Sequence, residues 1–276
     1  MINFLHSYRL HVIAAFGCML YLFSIPTLLF LNATHNTSTL FAYYASFAAF
    51  ILLWCSYYIG NRYFDFHEDT ISQPTETRHS KYMLGVVIAA YTIPFIIFTL
   101  TDKPLLPFLF LALLTFIYST PLVKGFRVKQ IPFIKNVCAA GTWWLAVAFF
   151  VHFYVGQTQT LFEACIITAT IFPIMLIIEL LWDVRDIEGD RQSQNYTVPV
   201  LFGLTATKVL IFSIVGLSWL LGVFEAGGST FMNVVFLCLA TLFIKDGFPS
   251  HFYHSIVYVQ IVFMLVTILL VNAMFS

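Results

Sequence analysis

Long apolar runs separated by short polar connections set the pattern of this chain. Crossing about 30 Å of hydrocarbon takes roughly 20 mostly apolar helical residues. That ruler predicts nine spans, at 11–31, 39–60, 82–100, 105–118, 136–154, 160–182, 205–224, 230–244 and 252–274. The fourth and eighth are short and are expected to be tilted or partly interfacial. Pro74, Pro104, Pro121, Pro132, Pro199 and Pro249 fall in or beside the connections, where a missing N–H is tolerated. Pro26, Pro94 and Pro173 lie inside spans and predict kinks there. Met1–Leu10 is short and weakly basic, and the apolar stretch after it is too long for a removable signal peptide, so that stretch is expected to be the first span. No polar stretch reaches domain length, and residues 1–276 are expected to form a single transmembrane domain.

Composition agrees. Of 276 residues 60% are hydrophobic, 18% aromatic and 9% charged, whereas soluble domains carry about 25% charged residues. The fold class is therefore an all-α polytopic membrane protein. Thirteen Lys+Arg balance thirteen Asp+Glu, so bulk charge gives no support to a nucleic-acid partner. The five cysteines stand singly in apolar runs and read as small hydrophobes. Short cytoplasmic loops collect Lys and Arg, and under the nine-span topology every Lys and Arg except Lys103 falls on one side. The N-terminus is then cytoplasmic and the C-terminus external. The short loops and the lack of a transit peptide fit a prokaryotic plasma membrane.

The carboxylates carry the chemistry. Asp65, Glu68, Asp69 and Glu76 lie in the connection after the second span, and Asp183, Asp186, Glu188 and Asp190 in the one after the sixth, both on the predicted cytoplasmic side. Each would cost about 2.5–3.5 kcal/mol at the centre of a lipid-facing helix, so they belong at helix ends or around a polar cavity. The first cluster reads NRYFDFHED, and residues four apart on a helix share a face, which aligns Asn61, Asp65 and Asp69. The second reads DVRDIEGDR. Glu179, Asp183, Asp186 and Asp190 form one stripe if the helix persists to Gly189, where it is expected to open. Mg²⁺ prefers such oxygens and is usually bound by one or two carboxylates with waters and phosphate oxygens. Two such faces on one side of a membrane can clamp a diphosphate.

Between the clusters runs YSTPLVKGFRVKQ, followed by Pro132, Lys135 and Asn136. Lys124, Arg127 and Lys129 in this stretch can offset charge building on a leaving diphosphate, although positive-inside topology alone also places cations here. Phe64, Tyr118, Trp143, Trp144 and Trp182 are candidates to guard a carbocation, against a default of core or lipid contact among 31 Phe, 14 Tyr and 5 Trp. His67, within the first cluster, is a candidate acceptor base or simply a solvated side chain.

These motifs resemble those of the UbiA family of intramembrane prenyltransferases: NRYFDFHED its first Asp-rich motif, DVRDIEGDR its second, and YSTPLVKGFRVKQIPFIKN its middle connection. The resemblance covers nearly the whole chain. It implies about nine helices around a central cavity that holds an Mg²⁺-bound isoprenyl diphosphate donor. Asp65, Asp69, Asp186 and Asp190 would be catalytic, and Asn61, Asp65, Asp69, Asp183, Asp186 and Asp190 would hold the metal. Asn61, Arg62, Asp183, Tyr118, Lys124 and Arg127 would bind substrate. The chain departs from some relatives at position 122, where Leu stands four residues after Tyr118 in place of Lys, and from many after Asp69, where the Pro- and Arg-rich sequence is replaced by TISQPTETRH, with Arg78 as its cation. The partners implied are the donor, a small acceptor such as an aromatic or lipid precursor, and membrane lipid. Two other readings remain at this point: a terpene cyclase on the same fold, and a transporter or ion-binding protein. Transporters place charge near mid-membrane, whereas here it gathers at one end.

Overall fold

The computed structural model describes residues 37–64, 83–120, 128–131, 133–155, 158–224, 228–245 and 247–249, with short helical pieces between 252 and 262. The predicted first span, most of the ninth, Asp65, Asp69, His67, Lys124 and Arg127 lie outside the described residues. The described secondary structure is helical throughout: α1 (Thr37–Phe64), α2 (Met83–Leu100), α3 (Leu105–Ser119), α4 (Ile134–Phe149) continued by a π-helical turn (Phe150–Val155), α5 (Leu161–Ile167), α6 (Ile171–Arg185), α7 (Ile187–Gln192), α8 (Val198–Leu220) and α9 (Gly228–Phe243). The predicted spans from the second to the eighth each meet a helix.

These residues fall into two compact units. The first contains α1–α3 and Leu145–Ile166, and the second contains Lys129–Trp144 and the chain from Ile167 onward. In the first unit α1 packs along α2 and also meets α3 and the π-helical turn. Its centre is aromatic: the Phe50 ring lies 5.9 Å from Phe98, 5.3 Å from Phe150 and 5.2 Å from Tyr154, each edge-on. Such pairs add about 0.5–1.5 kcal/mol beyond area burial. Tyr154 Oη donates to the Pro104 carbonyl at 2.6 Å, and the hydroxyls of Tyr91 and Thr115 meet at 2.9 Å between α2 and α3. These three hydroxyls are thus satisfied inside the apolar core.

α2 has no charged residue over its 18 positions, and at 1.5 Å per residue it is about 27 Å long. Its Thr92 and Thr99 hydroxyls donate back to the Ile88 and Phe95 carbonyls, which lets hydroxyls face hydrocarbon without an unmet donor. Leu100, Leu106, Phe162 and Leu220 are exposed, an outward coat suited to acyl chains rather than water. α1, α4 with its π-helical turn, and α8 are long and apolar enough to cross a membrane.

In the second unit α6 packs on α8. Lys208 of α8 donates to the Leu242 and Ile244 carbonyls at 3.0 and 2.7 Å, so a cation satisfies the acceptors at the end of α9.

Within the predicted sixth span the kink expected at Pro173 appears as a break in the helix at Thr168–Thr170, and Pro173 sits in the first turn of α6, where its missing N–H costs nothing. The second motif's helix breaks at Asp186 (φ −97°, ψ 10°), and α7 runs on through Gly189. In the predicted seventh span, α8 opens with a short segment from Val198, with Pro199 in its first turn, and past the break at Gly203 its continuous helix begins close to the expected residue 205 and stops at Leu220.

Gly203 interrupts α8 with φ 79° and ψ 175°, a region open essentially to glycine alone. Apart from its neighbours along the chain, nothing among the described residues lies within 4 Å of where a Cβ would stand, so the cost of a side chain is backbone strain. Gly203→Ala is expected to destabilise the protein by about 1–3 kcal/mol, read as a lower midpoint of thermal unfolding in detergent. An unchanged midpoint would contradict the strained conformation.

Candidate active site

The second acidic motif is the part of the site the described residues contain. α6 carries Glu179 and Asp183 one turn apart on one face, both buried. The break at Asp186 lets the chain turn into α7, which carries Asp190, also buried. α4 begins just after Phe133, whose backbone takes φ 63° and whose ring stacks on Phe202 at 6.1 Å. That abrupt start places Lys135 and Asn136 in the first turn of α4.

Both reach the carboxylates. Lys135 Nζ lies 2.7 Å from Asp183 Oδ1 and 3.4 Å from Asp190 Oδ2. Asn136 Nδ2 donates to Asp183 Oδ2 at 2.7 Å, and Asn195 Nδ2 donates to Asp190 Oδ1 at 3.2 Å. The Asp183 and Asp190 side chains are only 2% and 5% exposed. Two buried carboxylates therefore share one ammonium.

Asp186 accepts from Arg185 Nε at 2.8 Å and Nη2 at 2.5 Å, and the same guanidinium lies 5.8 Å from the Trp182 ring centre. Glu188 faces outward, holding Gln192 Nε2 at 2.6 Å and Arg191 Nη1 at 3.4 Å.

In the first unit Asn61 sits in the last turn of α1, and its Oδ1 is buried with no hydrogen-bond partner among the described residues. Arg62 follows it on the same helix. Tyr118, in the last turn of α3, is buried with its ring 5.8 Å from that of Tyr57. A cavity of about 240 Å³ lies among α1, α2 and α3, lined by Tyr57, Gly60, Phe64, Val87, Tyr91 and Phe116 among others. Of the other aromatic candidates, Trp143 is buried and Trp144 meets Phe172 edge-on at 6.0 Å.

The donors suit a hard cation. Asp183 and Asp190 converge on a positive charge, and Asn136 Oδ1 is a buried acceptor without a hydrogen-bond partner among the described residues. Among the described residues no three His, Cys, Asp or Glu side chains form a closed cage. Mg²⁺ asks for no such cage, since one or two carboxylates with waters and phosphate oxygens fill its octahedron.

The sequence profile of the UbiA prenyltransferase family matches residues 20–248. The chain belongs to this family. As a UbiA-family protein with apolar membrane-length helices, it is an integral membrane protein. It is similar to the digeranylgeranylglyceryl phosphate synthase of Methanoregula boonei, 28% identical over 169 residues that cover 55% of this chain and 54% of that relative. The match thus spans about half of that relative's length. Among solved structures it resembles a UbiA homolog from Archaeoglobus fulgidus bound to DMAPP and Mg²⁺, with a TM-score of 0.62 and 15% identity over 94% of this chain and 98% of that one. The same homolog bound to GPP and Mg²⁺ gives a TM-score of 0.59 and 15% identity, again over 94% and 98%. These likenesses establish the UbiA fold.

Lys135 and Asn136 are the site residues that sequence reasoning left without a role. The signal lay in their position: a Lys-Asn pair opening an otherwise apolar helix needs buried partners, and charge alone does not name them.

Proposed function

We propose that this UbiA-family protein transfers an isoprenyl group from an allylic diphosphate to a small acceptor in an Mg²⁺-dependent reaction. The observation that carries the reading is the convergence of Asp183 and Asp190 on one cation where α6 gives way to α7. Asp183, Asp186 and Asp190, together with Asn61, Asp65 and Asp69, would hold the metal. Arg62, Lys124 and Arg127 would face the diphosphate, with Tyr118 beside it.

Mg²⁺, when bound, offsets the charge that builds on the leaving group. The chain's own cations add to that stabilisation where charge develops. The allylic C–O bond breaks with its electron pair leaving on the diphosphate, the allylic carbocation is attacked by the acceptor, and the acceptor gives up a proton. Apolar walls exclude water from the cation. The one-sided distribution of Lys and Arg supports a cytoplasmic site in a prokaryotic plasma membrane. The name of the Methanoregula relative makes a glycerol-phosphate lipid alcohol an acceptor to test beside aromatic precursors.

Purified protein incubated with Mg²⁺ and a panel of isoprenyl diphosphates, with and without acceptors, tests this. The expected result is pyrophosphate release that depends on an acceptor and yields a prenylated product. Acceptor-independent release with a new hydrocarbon would assign cyclisation instead, and no release under any condition would reject diphosphate chemistry.

A further inference from the structure

We propose that Lys135 is a built-in counter-ion that occupies the cation position of the second acidic motif and yields it only to metal arriving with a diphosphate. The inference rests on the prenyl-transfer reading and deepens it. Asp183 and Asp190 are nearly sealed from solvent and lie at 2.7 and 3.4 Å from Lys135 Nζ. Two carboxylates so placed repel one another unless a positive charge stands between them. The lysine supplies that charge, while Asn136 Nδ2 donates to the second oxygen of Asp183 at 2.7 Å.

Divalent metal seeking the same oxygens meets an ammonium already there. Direct loading sets like charges against each other at short range. The lysine head rides on a flexible four-carbon stem with three rotatable donors, so it can leave the carboxylates if another anion receives it. A diphosphate entering with metal is such an anion. Metal and diphosphate should therefore bind cooperatively, and departure of the diphosphate product should return Lys135 to Asp183 and Asp190 and expel the metal. Lys135 is thus a positioning residue that couples metal occupancy to the presence of donor.

The test is Mn²⁺ binding to the full-length detergent-solubilised protein, followed by the electron paramagnetic resonance signal of free Mn²⁺ with and without inorganic pyrophosphate, at the sites that Asp190→Asn removes. The wild type is expected to bind Mn²⁺ alone weakly and about 10-fold or more tightly with pyrophosphate, the scale of an ordinary coupling between ligands. Lys135→Met is expected to bind Mn²⁺ alone about 10-fold more tightly than the wild type and to lose most of the pyrophosphate gain. Lys135→Gln, which keeps an N–H donor for Asp183, carries the same expectation if the methionine variant does not fold. Lys135→Arg should keep the wild-type pattern. A merely structural lysine predicts the opposite sign, weaker metal binding in the neutral variants. If the wild type shows the pyrophosphate gain and the neutral variants show it undiminished, the counter-ion role is overturned while prenyl transfer stands. If no variant binds Mn²⁺ under either condition, the metal-dependent reading falls and the inference with it.

Discussion

Asp190→Asn is expected to lower prenyl-transfer turnover by more than about 100-fold while leaving the protein folded. Losing a partner one shell out from a metal already costs about 10–100-fold, and this exchange removes a charge proposed to hold the metal itself. The fold should tolerate it. Asparagine matches aspartate in size, and its Oδ1 can still accept from Asn195 Nδ2, now at 3.2 Å from Asp190 Oδ1. Lys135 keeps its shorter contact to Asp183. Asp65→Asn carries the same expectation from the first motif. Initial rates, with size-exclusion and circular-dichroism profiles as controls for folding, decide the matter. Wild-type turnover in a folded Asp190→Asn protein would remove Asp190 from the proposed site.

The largest effect on stability is expected from Asp183→Leu. Breaking one side of a buried ion pair costs about 3–5 kcal/mol, because the surviving charge is left without compensation. Here Lys135 would retain only its 3.4 Å contact to Asp190, and Asn136 Nδ2 would lose its 2.7 Å acceptor. Adding Lys135→Met to Asp183→Leu removes the stranded ammonium but takes the same cation from the buried Asp190, so only part of that loss should be recovered. Denaturation in mixed micelles of the wild type, both single variants and the double variant measures the coupling. A single-variant loss below about 1 kcal/mol, the size typical of an exposed pair, would mean the two groups are not buried partners.

Helix placement was legible because hydrocarbon thickness imposes one length on every span. α2 and α3 fall at Met83–Leu100 and Leu105–Ser119, almost where hydropathy alone sets them. Boundaries depending on proline or glycine were less legible, since those residues act by position within a turn: Pro173 and Pro199 sit inside helices at their first turns, and Gly189 lies within α7. The second motif was legible as a cluster of carboxylates but not as an arrangement. Helical spacing placed Asp183, Asp186 and Asp190 on one stripe, whereas the break at Asp186 separates their roles, giving Asp186 to Arg185 and bringing Asp190 back toward Asp183 through Lys135. Lys135 is 48 residues from Asp183 in sequence, and no local rule connects a residue on α4 to one on α6. Asn136 was named in the sequence but left without a role for the same reason. Its importance comes from a long-range hydrogen bond.

The most direct measurement is a structure of the protein in lipid with Mg²⁺ and an unreactive thio-analogue of geranyl diphosphate. Metal within about 2.1 Å of oxygens from Asp183 or Asp190, bridging to the diphosphate, with Asn61, Asp65 and Asp69 around the same diphosphate and Lys135 Nζ withdrawn from the carboxylates, is the predicted result. A diphosphate bound away from both motifs, with Lys135 still lying across Asp183 and Asp190, would contradict it.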